Sequence, residues 1–307
     1  MPKFFSMQRL VYWLIYPILL LISYLPFRLF YIFSDFIFFI VYHLIGYRKK
    51  TVLENLKLAF PERSHDDLIK VRKVFYSHMC DMFLEMVKSI TISDEEIKKR
   101  FEFTNKEEIL RIREMDKSII LMCGHYASYE WMNALQLFGI NYKGFGIYKR
   151  VKNPYFDKLA RDIRGRYDGI LIPTVEATKT IARNEREGIR GVYGMVADQS
   201  PKLNRAKYWM DFLNVKVPVF TGSEKLAKDL DMAVVYLHVE KIKRGYYRAS
   251  FITITTEPKD EPEFMITRTF FKLLEKQIRK APEYYLWTHK RWKHRYETVT
   301  TEKIIID

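Results

Sequence analysis

The first fifty positions form an almost unbroken hydrophobic stretch. Residues 11–27 carry no charge, and residues 29–46 carry one, Asp35. The runs are 17 and 18 residues long, at the short end of the roughly 20 residues that cross a bilayer core. Pro26 and Arg28 separate them. Lys3 and Arg9 precede the first run, and Arg48, Lys49 and Lys50 follow the second. Tyr and Trp crowd the ends, as at membrane interfaces. Neither run has a polar face, which argues against a buried hairpin of a soluble protein. A cleaved signal peptide fits poorly, because the stretch is too long and has no small-residue cleavage site. The pattern predicts a membrane anchor over residues 1–50, as one spanning helix followed by an interfacial helix or as a short helical hairpin. The positive-inside rule keeps Arg48 to Lys50, and the domain of residues 51–307 after them, on the cytoplasmic face.

Beyond the anchor the period changes. Leu68, Val71, Phe75, Met79, Met82, Phe83 and Met86 fall at helical spacing, predicting an amphipathic helix over 64–87. From residue 117 strand and helix patterns alternate. Strands are expected at 118–123, 143–148, 169–172, 191–196, 232–239 and 246–255, and helices at 128–138, 154–166, 222–231 and 263–280. This order predicts an α/β domain, a parallel or mixed sheet flanked by helices. In such sheets the active site gathers where strands end and helices begin.

Composition narrows the function. The formal net charge is +15, which suits an anionic partner such as nucleic acid, an anionic membrane, a phosphorylated lipid or an acidic carrier protein. The basic residues are scattered and no nucleic-acid-binding signature is present, so with an apolar N-terminus the membrane is the better partner. Two cysteines, Cys80 and Cys123, make neither a disulfide framework nor a zinc pattern, and no cofactor is called for.

The candidate chemistry lies after the strand at 118–123, in Gly124-His125-Tyr126-Ala127-Ser128-Tyr129-Glu130. His125 and Glu130 have the spacing H-x4-E. With 37 acidic residues in 307 positions and seven histidines, one such pair is expected by accident. The position of His125 at a strand end is better evidence. A hydroxyl is a poor nucleophile, and an imidazole with an ordinary pKa of about 6.5 can take its proton during attack. A carboxylate on the other ring nitrogen would fix the tautomer and stabilise the imidazolium. The rival nucleophile, Cys123, ends an apolar strand and reads as a small core residue.

The ordered motifs resemble the late acyltransferases of lipid A biosynthesis, a branch of the lysophospholipid acyltransferase superfamily. Besides His125 and Glu130, the resemblance is carried by Asn55-Leu56 with Ala59-Phe60-Pro61-Glu62, Leu84-Glu85-Met86, Tyr148-Lys149-Arg150 with Asn153-Pro154, and Arg164 with Arg166. It continues in Asp198-Gln199, Ala281-Pro282-Glu283-Tyr284-Tyr285-Leu286-Trp287 and Arg291-Trp292-Lys293. It implies catalysis by His125 as general base with Glu130 as its partner, and an Arg164 or Arg166 that supports the site by binding phosphate or the developing oxyanion. Asp198, Gln199, Lys149 and Asn153 would contribute to substrate binding. It further implies an acyl carrier protein thioester or acyl-CoA as donor, a glycolipid acceptor, and a place at the cell inner membrane. Two departures bear on the acceptor. Ser200-Pro201 follows the D-Q block where an acid and a glycine are usual, and Arg150 stands where the family carries proline. Another glycolipid, an aminolipid or a lysophospholipid therefore stays open as acceptor, as does a catalytically inactive lipid-binding protein. The basic run His289, Lys290, Arg291, Lys293, His294 and Arg295 reads either as a contact for anionic headgroups or a carrier, or as a solvated face.

Overall fold

A computed structural model describes residues 2–297 and 303–306. The chain opens with α1 (Pro2–Tyr24) and α2 (Phe27–Phe38), the latter running on as a π-helical segment to Ile45. Met7–Tyr24 and Phe27–Ile45 are each long and apolar enough to cross a membrane. Leu14, Ile18, Leu21, Ile32, Phe36 and Phe39 lie exposed on them. Both helices are nevertheless fastened to the rest of the chain. Tyr12 stacks on Tyr155 at 5.5 Å between ring centroids. Tyr31 donates to Glu85 Oε1 at 2.9 Å and Ser34 to Asp81 Oδ1 at 2.7 Å. Arg244 bridges Asp35 and Asp81.

Next come α3 (Lys49–Ala59), α4 (His65–Lys88), α5 (Asp94–Arg100), β1 (Phe101–Phe103) and α6 (Glu107–Glu114). The Ser64 side chain caps α4 by accepting from the Asp67 amide. The alternating region is β2 (Ile119–Cys123), β3 (Lys143–Tyr148), α7 (Pro154–Arg164), β4 (Ile170–Pro173), α8 (Ala177–Arg186) and β5 (Gly191–Val196). It continues through β6 (Tyr208–Phe212), β7 (Val215–Val219), α9 (Gly222–Leu230), β8 (Ala233–Lys243), β9 (Tyr246–Thr255) and α10 (Met265–Lys280), and ends on β10 (Ile304–Ile305).

Seven strands form one sheet in the order β1-β9-β8-β2-β5-β3-β4. Every neighbouring pair in it is parallel except β8 and β9. All five β2 residues are buried, as expected of a central strand covered on both faces. The predicted α/β class and mixed sheet are therefore what the chain adopts. Other elements depart from the sequence pattern, which names none of α3, α5, β1, α6 and α8. The expected helix at 128–138 is a 3-10 helix, Tyr129–Phe138. A second sheet, β10-β6-β7, is built on a hairpin that the pattern does not announce.

The carboxyl ends of β2, β5 and β3 lie side by side on one edge of the large sheet. The segment after α10 folds back over this edge. Leu286 N donates to His125 O at 3.0 Å, and Ala127 N to Tyr284 O at 2.9 Å. Asn55 Nδ2 in turn holds that segment through the carbonyls of Trp287 (2.8 Å) and His289 (2.9 Å). Three stretches far apart in sequence thus clamp the loop that carries His125.

Candidate active site

The loop between β2 and the 3-10 helix is tightly constrained. Gly124 packs so closely that a Cβ there would sit 2.5 Å from Leu274 Cδ1. Ala127 has φ of +49°, a left-handed conformation uncommon outside glycine and typical of functional turns. Its amide is satisfied by Tyr284 O, which helps hold the strained turn in place.

Sheet register decides what His125 meets. Cys123 pairs with Val196 across β2 and β5, so two residues further along each chain His125 and Asp198 emerge together. His125 Nδ1 lies 2.6 Å from Asp198 Oδ1, and Gln199 Nε2 lies 3.1 Å from His125 Nε2. With the Nδ1 proton directed to Asp198, Nε2 is an acceptor, here of the Gln199 amide. Asp198 is buried at 2% exposure and also accepts from the Tyr285 hydroxyl. Burial would raise its pKa, but His125 and these hydrogen bonds hold it below the ordinary value. For His125, burial works to lower the pKa and the Asp198 carboxylate outweighs it, leaving the imidazole above its ordinary 6.5.

The carboxylate on the imidazole is thus that of Asp198 and not, as the H-x4-E spacing suggests, that of Glu130. Glu130 is engaged elsewhere. Arg164, at the end of α7, grips it in a bidentate pair with Nε to Oε2 at 2.9 Å and Nη2 to Oε1 at 2.7 Å. Both residues remain beside His125, on the wall of a cavity of about 590 Å³, a volume ordinary for a small-molecule site. Its inner lining is apolar and includes Leu121, Leu135, Phe145, Leu171 and Val192. Gly144, Gly146 and Gly194 pave the part that runs over the sheet.

His125, Glu130, Arg164, Lys149 and Gln199 all line this cavity, with Asp198 behind His125. Arg166 and Asn153 do not. Arg166 points away and donates to Ser89 O at 3.0 Å. Asn153 caps α7 through Tyr155 N at 3.0 Å and donates to Gln8 O at 3.2 Å. Cys123 is buried against Met132, and burial pushes its thiol far above the ordinary value, the opposite of a reactive cysteine. The basic run near the C-terminus is divided. Arg291 is buried at 1% exposure and donates to Ser200 Oγ at 2.7 Å and Pro218 O at 3.1 Å, which steadies the Asp198–Ser200 loop. Sequence reasoning missed that role, and it missed Tyr285 as a partner of Asp198. The only signal for either was membership of a motif.

A histidine–carboxylate pair beside an apolar cavity, in a chain with two exposed apolar helices, suits chemistry on lipids, and the relatives of the chain agree. Residues 1–294 match the family of bacterial lipid A biosynthesis acyltransferases. The chain is 26% identical over 255 residues to the lipid A biosynthesis lauroyltransferase of Escherichia coli (strain K12), covering 82% of this chain and 81% of that one. It is 23% identical to the lipid A biosynthesis myristoyltransferase of the same organism, over 80% and 76% of the two chains. With lipid A biosynthesis acyltransferase 2 of Shigella flexneri the identity is 21% over 81% and 78%. The chain is an acyltransferase and belongs to the bacterial lipid A biosynthesis acyltransferase family.

Proposed function

We propose that the enzyme moves a fatty acyl chain from an acyl carrier protein thioester to a hydroxyl of a lipid A precursor, with His125 as general base. Residues 1–50 anchor the 51–307 acyltransferase domain to the cell inner membrane, with the active site on the cytoplasmic face. The observation that carries this reading is the geometry of His125: Nδ1 on a buried carboxylate, and Nε2 at the mouth of an apolar cavity. The cavity takes the acyl chain, each buried methylene contributing about 0.8 kcal/mol. The acceptor hydroxyl displaces the Gln199 amide and donates to Nε2. As its oxygen attacks the thioester carbonyl the proton passes to the imidazole, and Asp198 stabilises the imidazolium. Collapse of the tetrahedral intermediate breaks the C–S bond, and the same proton leaves with the thiol. Arg164, held by Glu130, faces the developing oxyanion. Glu130 is on this account a positioning residue.

The test is to incubate purified protein with a labelled acyl carrier protein thioester and a lipid A precursor, and to compare His125→Ala and Cys123→Ala. Transfer is expected from the wild type and Cys123→Ala, and none from His125→Ala. Full transfer by His125→Ala contradicts the base assignment. No transfer by the wild type, with tight lipid binding, favours a lipid-binding protein.

A further inference from the structure

The cavity has a charged end that the acyl-transfer chemistry does not use. Lys149, Lys202 and Arg205 line it together with His125, and all three are exposed, so they stand at its mouth. Among the described residues none of the three makes a side-chain hydrogen bond or an ion pair. Their neighbours contrast with them. Arg164 is taken by Glu130 and Arg150 by Glu176. The remaining carboxylate at the site, Asp198, is taken by His125. Among the described residues that line the cavity, no carboxylate is left to neutralise this end.

Topology makes the placement specific. Lys149 directly follows β3, and Lys202 and Arg205 follow β5 on the loop that presents Asp198 and Gln199 to His125. β3 and β5 are parallel neighbours, so the cations come from two loops at the carboxyl edge where His125 emerges. Pro201 and the 3-10 helix Leu203–Arg205 shape the second loop, and Arg291 braces its start through Ser200. Cations on two independent loops, beside a catalytic base and above an apolar tunnel, match a ligand with an anionic head and a hydrocarbon tail. Lysine as a point charge and arginine as a planar donor are the usual phosphate partners.

We propose that Lys149, Lys202 and Arg205 form a phosphate-binding subsite at the mouth of the acyl cavity, which orients one substrate so that its reacting group meets His125. The inference rests on the acyl-transfer reading of this cavity. The phosphate has two chemical sources: the phosphopantetheine arm of a carrier-bound donor, or a phosphate on the sugar of a glycolipid acceptor.

Equilibrium binding in detergent, which needs no turnover, separates them. One arm compares a phosphorylated glycolipid with the same lipid after phosphatase treatment. The other compares an acyl carrier protein thioester with an acyl thioester of N-acetylcysteamine, which lacks phosphate. The wild type is set against the Lys149→Ala/Lys202→Ala/Arg205→Ala triple variant, with Lys179→Ala on α8 as a control for loss of surface charge. An exposed ion pair contributes between about 1.4-fold and about fivefold in affinity, so the triple variant should lose between about threefold and about a hundredfold of the preference for phosphate in one arm. That loss should shrink at high salt, and Lys179→Ala should keep the wild-type preference. A loss in the first arm assigns the subsite to the acceptor, and a loss in the second assigns it to the donor. An unchanged preference in both arms, or an equal loss with Lys179→Ala, overturns the subsite. Transfer by the wild type, measured separately, decides the acyl-transfer reading independently of either result.

Discussion

Replacing Asp198 by asparagine keeps the shape of the His125–Asp198 pair and removes its charge. The Asp198 oxygen lies 2.6 Å from His125 Nδ1, with 2% of the Asp198 side chain and 17% of the His125 side chain exposed. Two unit charges about 4 Å apart interact by about 4 kcal/mol at an effective dielectric constant of about 20. At about 1.4 kcal/mol per factor of ten, losing that stabilisation of the imidazolium slows transfer by about 10³. An asparagine can also turn its amide toward Nδ1 and favour the wrong tautomer, which in a Ser-His-Asp triad brings the loss to about 10⁴. The pH profile moves as well. With His125 as the proposed base, transfer needs the neutral imidazole, so the rate should rise with pH through the His125 pKa, which in the wild type lies above 6.5. Once the Asp198 charge is gone, burial, the largest influence, lowers that pKa with Arg164 and against Glu130, and the acidic limb shifts to lower pH. The assay is kcat/KM for acyl transfer between pH 5 and 9. A variant with the wild-type rate and an unmoved limb would refute the role given to Asp198.

Three further outcomes are set by the packing. A Cβ at Gly194 would stand 3.2 Å from Met132 Cε inside the cavity wall, so Gly194→Leu should shorten the acyl chain transferred; mass spectrometry of the product reads it, and an unchanged chain distribution refutes the tunnel. Asn55→Ala strands the carbonyls of Trp287 and His289, which should cost about 1–3 kcal/mol of stability; an unchanged melting temperature would show that the clamp on the His125 loop lies elsewhere. Glu85 is fully buried, and burial, with Asp81 next, raises its pKa to about 7 from an ordinary 4.5. A raised carboxyl pKa contributes stability that is complete below about 4.5 and is lost as pH climbs through 7, here about 3 kcal/mol. Melting temperature should therefore fall less steeply from pH 5 to 8 in Glu85→Gln than in the wild type, and parallel curves would contradict the shift.

The large elements are legible in the sequence because their periods are clean. The apolar run Ile119–Cys123 reads as a buried strand, and the spacing from Leu68 to Met86 reads as a helix. What escapes the pattern is short or set by long-range contacts. β1 has three residues, and β7 has five with Pro218 inside it, a residue that weakens a strand reading, so neither stands out from loop. The partner of His125 escapes for a different reason. Local spacing offers Glu130, five residues on, whereas the sheet register of β2 against β5 delivers Asp198, 73 residues away. Register depends on which strands pair, and a single sequence does not state that. For Arg166 the helix boundary decides. The pattern carries the helix to 166, but α7 ends at Arg164, and Arg166 lies past Gly165, where it turns to Ser89.

In the proposed mechanism His125 activates the acceptor hydroxyl directly, with no acyl group carried on the protein. Intact-mass spectrometry during a single turnover tests it: purified enzyme is mixed with an acyl carrier protein thioester, and lipid A precursor is then added. Acylated lipid should accumulate while the mass of the enzyme stays constant throughout. A mass gain of one acyl group on the enzyme, formed with donor alone and discharged when the acceptor arrives, would contradict it.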